Sequence, residues 1–372
     1  MPILVCSTYI ISLRHSVLTN QHLHILFEHG PHDLTPFGSS QIRLVRPLSH
    51  PDLVRVFDIT FGAEYFGQAA DAVIIDRLWR PRINLSMAKS LLNDIRRNKA
   101  KFIYALDDNF LNLNLDELDF EMTDGMLDAV RYFLENADGI IVTTDSLREQ
   151  FVQYNSQISV VPNVLDERLF SNPTGKPVSK DRIIIGYMGT NTHAADLKLV
   201  IPAMQEIMNY FPGRIQFQVL GVTTKEETLR ALEALPAKVI TPDASLRPYH
   251  KFVPWFQENI HWDIGLCPLL DTPFNQCKSD IKHLDYGAAR IAGIYSRVPS
   301  YESTVRHLET GYLVDNTTES WVEGIKQLIN HTDLRYKIAD NARDYVISQR
   351  TVKASAASLI YAINSIMERR SE

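Results

Sequence analysis

The stretch RIIIGYMGTNTHAADL, residues 182–197, decides the fold. Three consecutive isoleucines open the strongest apolar, β-branched run in the chain, and such a run predicts a buried strand. The run ends at Gly189, crosses a short polar loop from Thr190 to His193, and enters the helical pattern ADLKLVIPAMQEIMNYF (195–211). Strand, loop and helix in that order make one unit of a parallel sheet, because parallel neighbours need a crossover connection. The preceding segment, SNPTGKPVSKDR (171–182), carries Pro, Gly, Ser and Lys and almost nothing apolar, so it reads as a linker. The α/β pattern therefore restarts after a linker.

The same texture extends outward on both sides. Before the linker, HILFEHG (24–30), AVIID (72–76), KFIYAL (101–106), GIIVTT (139–144) and ISVVPN (158–163) read as buried strands. Between them, INLSMAKSLLNDIRRN (83–98) and TDGMLDAVRYFLENA (123–137) have helical period, the second with Thr123 as N-cap. After the linker come IQFQVLG (215–221), TLRALEAL (228–235), KVIT (238–241), DIGLCPL (263–269) and GIYSRV (293–298). The last segments, 320–329, 333–347 and 353–370, are helical. Two α/β halves joined near residue 175 is the economical description, with ligands expected where loops meet the carboxyl ends of the strands.

The 372 residues suffice for two domains, and 45% hydrophobic with 22% charged residues is an ordinary globular balance. A formal net charge of −6 argues against nucleic-acid binding through bulk positive charge. Cys6, Cys267 and Cys277 are odd in number and widely spaced, so neither a disulfide framework nor a zinc pattern is expected, and a reducing cytoplasm is the default. The apolar run PILVCSTYIISL near the start lacks a basic n-region and reads as an early strand or extension, not a signal peptide. No apolar run is long enough for a transmembrane helix.

Four constellations carry candidate chemistry. In GYMGTNTHAADL (186–197), Gly189, Thr190 and His193 form a loop that leads into a helix N-terminus; the pattern fits an anion site or a plain βα turn. In FNQCKSDIKHLDYGAAR (274–290), Ser279 is the expected N-cap, and Lys278, Lys282 and Asp285 share a helix face at i, i+4 and i+7. Two cations at a helix start oppose its dipole. A bound diphosphate would relieve that, with Asp285 accepting from ribose hydroxyls; a solvated Lys–Asp face is the alternative. In ALDDNF (105–110), Asp107 and Asp108 follow a strand, as a base, sugar-holding carboxylates, a metal pair or a turn cap. Finally, Arg43 in FGSSQIRLVRPL (37–48) and Arg77 in IIDRLWR (74–80) are possible phosphate or acceptor contacts, or ordinary surface.

Taken together, these residues resemble the GT-B fold bacterial glycosyltransferases of the large "group 1" type. The resemblance rests on IIIGYMGTNTHAADLKLVIPAMQEI, on the stretch from DIGLCPL to SRVPSY, and on a tail in which Gly311, Leu313, Val314, Asn341, Ala342, Arg343 and Val346 match a G-x-L-V strand and an N-A-R-x-x-V helix. ADGIIVTTDSLREQF and VVPNVLD extend it into the first half. It implies two Rossmann-like domains with parallel sheets facing across a cleft, about 1–175 on the acceptor side and 176–350 on the donor side. It also implies a C-terminal helix, about 351–372, that crosses back to the first domain.

The resemblance further implies a hexosyl transfer from a nucleoside diphosphate sugar to an acceptor hydroxyl, without metal or other cofactor, in surface polysaccharide or glycoconjugate synthesis. Gly189, Thr190, His193, Lys278, Ser279, Lys282 and Asp285 would hold the donor. Asp107 and Asp108 stand where many members have a His-Asp pair, with Asp107 as general base in an inverting reaction, or orienting hydroxyls in a retaining one. The acceptor would be a glycan, a lipid-linked glycan or a protein, with possible peripheral association at the inner membrane face and no nucleic-acid partner. One departure is plain: Cys277 occupies the place of the first acid of the family's E-x7-E pair. The competing expectations are a nucleotide-sugar epimerase of the same fold, a non-catalytic nucleotide-sugar-binding protein, and a metal-dependent hydrolase at the Asp pair.

Overall fold

The computed structural model describes residues 20–30, 34–113, 122–170, 182–190, 193–221, 230 and 232–369. The expected N-terminal strand with Cys6, nearly all of the linker, and residues 228, 229 and 231 of the expected 228–235 helix lie outside the described residues. The chain divides into two units. Unit 1 takes the described residues up to 113, then 122–166 and those from 352 onward; unit 2 takes those from 167 to 351.

Unit 1 holds a six-stranded sheet in the order β2-β1-β3-β4-β5-β6, every pair parallel. The strands are β1 His22–Leu26, β2 Asp58–Gly62, β3 Ala72–Asp76, β4 Lys101–Leu106, β5 Gly139–Val142 and β6 Ile158–Val160. Edge strand β2 was not among the strands expected from sequence. Its residues DITFG alternate between partly exposed and buried, so it lacks the continuous apolar run of its neighbours. Asn84 and Thr123 cap the Leu85–Arg97 and Asp124–Asn136 helices, accepting from the Met87 and Met126 N–H groups at 3.1 and 3.3 Å.

Unit 2 repeats the architecture in the order β12-β11-β10-β7-β8-β9, again all parallel. The strands are β7 Ile183–Met188, β8 Ile215–Leu220, β9 Lys238–Ile240, β10 Ile264–Cys267, β11 Ala292–Ser296 and β12 Tyr312–Val314. The helix expected over 195–211 is two helices, Ala194–Lys198 and Ile201–Tyr210. Pro202 explains the break: it cannot donate a backbone hydrogen bond, so it opens the second helix instead of continuing the first.

Each unit has its own core. In unit 2 it gathers Ile185, Phe217, Ile264, Ile294, Trp321 and Ile325. In unit 1 the final helix, Val352–Met367, lays Val352, Leu359, Ile363 and Ile366 against Ile25, Ile74 and Ile103. No described helix is long and apolar enough to cross a membrane.

The strand orders place the sites. In unit 2, counted in chain order, the sheet runs 3-2-1-4-5-6, so the connections reverse direction between β7 and β10. In unit 1 they reverse between β1 and β3. At such points the loops beyond the carboxyl ends of two adjacent strands diverge and leave a crevice, where α/β sheets bind ligands.

Candidate functional site

In unit 2, the loop after β7 and the segment after β10 flank that reversal. Thr190 is exposed in the first loop. Gly189 is buried, and a Cβ there would lie 2.6 Å from the Tyr187 hydroxyl. The absent side chain therefore makes room for the protein's own tyrosine. The Tyr187 hydroxyl donates to the His193 carbonyl at 3.1 Å and braces the loop.

His193 donates from Nδ1 to Asp196, 2.7 Å away, and the other oxygen of Asp196 accepts from the Leu270 N–H at 2.8 Å. Asp196, 3% exposed, thus ties the loop after β7 to the segment after β10. Burial pushes His193 down to about 3, with Lys282 and Lys278 adding to the effect against the pull of Asp196. Burial, the largest single influence, would raise Asp196, but the hydrogen bond and charge of His193, the Leu270 N–H and Lys278 together outweigh it and hold the carboxyl below its usual range.

The helix after β10 differs from expectation at its start. It runs Ile281–Ala288, so Ser279 lies outside it, and the N-cap position belongs to Asp280. Lys278 is extended backbone ahead of the helix, with its Nζ 5.0 Å from the Phe274 ring centre; only Lys282 and Asp285 share a helix face. The cause is Arg350. Its Nη1 and Nη2 donate to the two oxygens of buried Asp280 at 2.7 and 2.8 Å, which takes that carboxylate away from capping. The first turn is left with no side-chain cap.

Lys282 occupies that first turn, 8% exposed. Its Nζ lies 5.3 Å from the Tyr187 ring centre and has no hydrogen-bond partner among the described residues. Burial lowers its pKa, with the neighbouring Cys267, Asp196 and Asp285 working the other way. Asp285 lines a small pocket with Phe170, Met188, Phe252 and Phe256; burial pushes it up to about 7 despite the opposing charge of Lys282. Cys277 and Cys267 are both buried.

Unit 1 carries a second cluster, at the carboxyl ends of β1, β3 and β4. Arg77 reaches Glu28 at 2.7 Å, Asp107 at 2.8 Å and Asp108 at 3.0 Å. Arg43 reaches Asp107 at 3.1 Å and Asp76 at 3.4 Å. Arg43 and Arg77 are therefore not phosphate-seeking surface cations; four acidic groups already surround them. Arg77 also adopts a left-handed backbone, φ 49°, which costs on the order of 1–3 kcal/mol for a side-chain-bearing residue. Its N–H bond to the Ala105 carbonyl at 2.9 Å, and the Tyr104 hydroxyl donating to its own carbonyl at 2.9 Å, hold it there.

This geometry also corrects the role expected for Asp107. Burial would raise it, but the Arg77 and Arg43 guanidiniums outweigh burial and hold it below the carboxylate range, which makes it a weak base. Glu28, buried and facing one guanidinium instead of two, is pushed up to about 7 by burial. Asp76, fully buried, is also raised by burial. Sequence reading missed Glu28, Asp76 and Asp196. The available signal was position: each follows or ends a strand adjoining a reversal of strand order. Among the described residues no group of three or more His, Cys, Asp or Glu is arranged to hold a metal ion.

No family model matches the sequence, and no curated protein matches it. Solved structures do. HepE from Anabaena, in complex with UDP and glucose, has a TM-score of 0.64 at 12% identity, over 93% of this chain and 100% of HepE. Sucrose-phosphate synthase from Thermosynechococcus elongatus has a TM-score of 0.66 at 15% identity, over 93% of this chain and 99% of that one. TarM from S. aureus, in a complex containing UDP, matches at 0.57 and 14% identity, over 80% of this chain and 56% of TarM. With two parallel six-stranded sheets in matching arrangement, the chain has the GT-B glycosyltransferase fold.

Proposed function

We propose that the chain is a glycosyltransferase that moves a hexose from a nucleoside diphosphate sugar to an acceptor hydroxyl. One observation carries this: Lys282 is a nine-tenths buried cation, without a hydrogen-bond partner among the described residues, at an uncapped helix N-terminus beside a reversal of strand order. Burying an unmatched charge is costly, and an anion is what this position lacks. Lys278 adds a second cation. The diphosphate belongs here, and Asp285, one turn further along the same face, belongs at the ribose hydroxyls. The neighbours solved with UDP support the reading.

In the reaction, the acceptor oxygen bonds to C1 of the hexose as the bond from C1 to the diphosphate oxygen breaks, and the diphosphate leaves with the electron pair. Charge stabilisation on that leaving group is the main requirement, which Lys282, Lys278 and the helix N–H groups meet without a metal. The acceptor's proton passes to the departing diphosphate oxygen, which has gained the electron pair of the broken bond. We assign the acceptor to glycans or glycoconjugates.

The test is donor binding. Thermal shift and calorimetry with UDP, GDP and dTDP sugars should identify a stabilising donor. Lys282→Met and Lys278→Ala should then each raise its Kd about 10–100-fold, the loss of one charge-assisted contact. Unchanged binding in both variants overturns the donor site.

A further inference from the structure

We propose that His193, fixed by Asp196, takes up a proton as the donor's diphosphate is seated and donates a hydrogen bond to it from Nε2. The inference rests on the donor site assigned above. It begins with hydrogen-bond polarity. A carboxylate can only accept, so the 2.7 Å contact to Asp196 places the neutral ring's hydrogen on Nδ1. Asp196 is itself immobilised by the Leu270 N–H at 2.8 Å, and the Tyr187 hydroxyl braces the His193 backbone at 3.1 Å. The tautomer is therefore set by buried partners, and Nε2 carries a lone pair. A lone pair and a phosphate oxygen are both acceptors, so contact between them requires a proton.

The charges around the ring explain why that proton is absent before binding. Lys282 and Lys278 act on His193 from the segment after β10, and Asp196 from its own helix; Asp285 and Cys267 act on Lys282 in turn. A further cation beside buried Lys282 and half-buried Lys278 is disfavoured. A diphosphate diester brings two negative charges to those lysines and reverses the balance. The imidazolium then bridges Asp196 on one side and the diphosphate on the other, with Asp196 as the positioning residue. The proton comes from solvent and forms the Nε2–H bond, and no bond between heavy atoms changes.

The experiment uses the full chain with UDP-glucose, GDP-mannose and dTDP-glucose, whose diphosphate diesters do not titrate near neutrality. Heat from at least one of them tests the donor site itself; no heat from any overturns the proposed function. With the sugar nucleotide that binds, calorimetry at pH 6.5–7.5 in buffers of different ionisation enthalpy should show His193→Gln taking up roughly 0.5–1 fewer protons than wild type. Any proton released from Asp285 cancels in that difference. Nitrogen-15 histidine spectra of the wild type, with His193→Gln used only for assignment, should convert His193 from the neutral Nδ1–H form to imidazolium at saturation. Binding with His193 still neutral, or equal proton uptake in both proteins, overturns the inference and leaves the donor site standing.

Discussion

Glu28 shows what burial does to one residue. The residue is 6% exposed, and burial outweighs the attraction of Arg77 and lifts its carboxyl to about 7, from an ordinary value near 4.5. The sign of the consequence follows. Between pH 4.5 and 7 the folded chain binds this proton more tightly than the unfolded chain does. Its contribution to stability is complete below about 4.5 and is lost as pH rises to about 7. Glu28→Gln, permanently neutral, should flatten that part of the profile and leave the variant more stable than wild type at pH 8 by about 2–3 kcal/mol. Urea midpoints across pH check this, and a profile parallel to wild type would refute the assignment. The identities of Lys282 and Asp285 as a pair on one helix face were legible in the sequence, because spacing along a helix is local. Glu28, Asp76 and Asp196 were not, because nothing local distinguishes a buried acid from a solvated one.

Elements meet at their ends, and the Ile281–Ala288 helix is the case that matters. Its start is fixed from a distance by Arg350, which follows the Thr332–Gln349 helix and forks onto Asp280 while also donating to the Tyr345 hydroxyl at 2.7 Å. Both side chains are nearly buried, at 9% and 4% exposed. Removing one partner of such a pair leaves a buried charge, whereas removing both costs far less. Arg350→Met should therefore destabilise the protein by about 3–5 kcal/mol, and Asp280→Asn added to it should restore more than half. Denaturation of the two variants decides this; equal losses would mean that the pair is not coupled. Helix spacing predicted Ser279 as the cap because serine is a good N-cap in isolation. A neighbouring aspartate with a distant arginine partner displaced the boundary, and no local rule contains that arginine.

At the scale of the whole molecule, the final helix belongs to unit 1 although unit 2 precedes it in the chain. Ile366 packs onto Gly139 of β5, where a Cβ would come within 2.5 Å of it. Val352, Leu359, Ile363 and Ile366 each contribute about 1.5–3 kcal/mol by leaving water, together comparable to the whole stability of a domain. Deleting residues from 352 onward should unfold unit 1 and spare unit 2. Hydrogen exchange should show protection lost in β1, β3 and β4 and kept in β7, β10 and β11; uniform loss in both units would contradict the division.

Taken by itself, the sequence determined the α/β class, its two halves and nearly every strand of both sheets. Buried parallel strands are continuous apolar runs, and the linker interrupts them with Pro, Gly and Lys. It also marked the segments after β7 and β10 as the candidate donor region. Only the tertiary structure decided which charges are buried and with what. It gave Arg43 and Arg77 to a carboxylate cluster, made Glu28 and not Asp107 the stronger base, and tied His193 through Asp196 to the segment that bears Lys282. Those outcomes depend on desolvation and on partners far away in the chain, and both exist only once the strands have brought their carboxyl ends together.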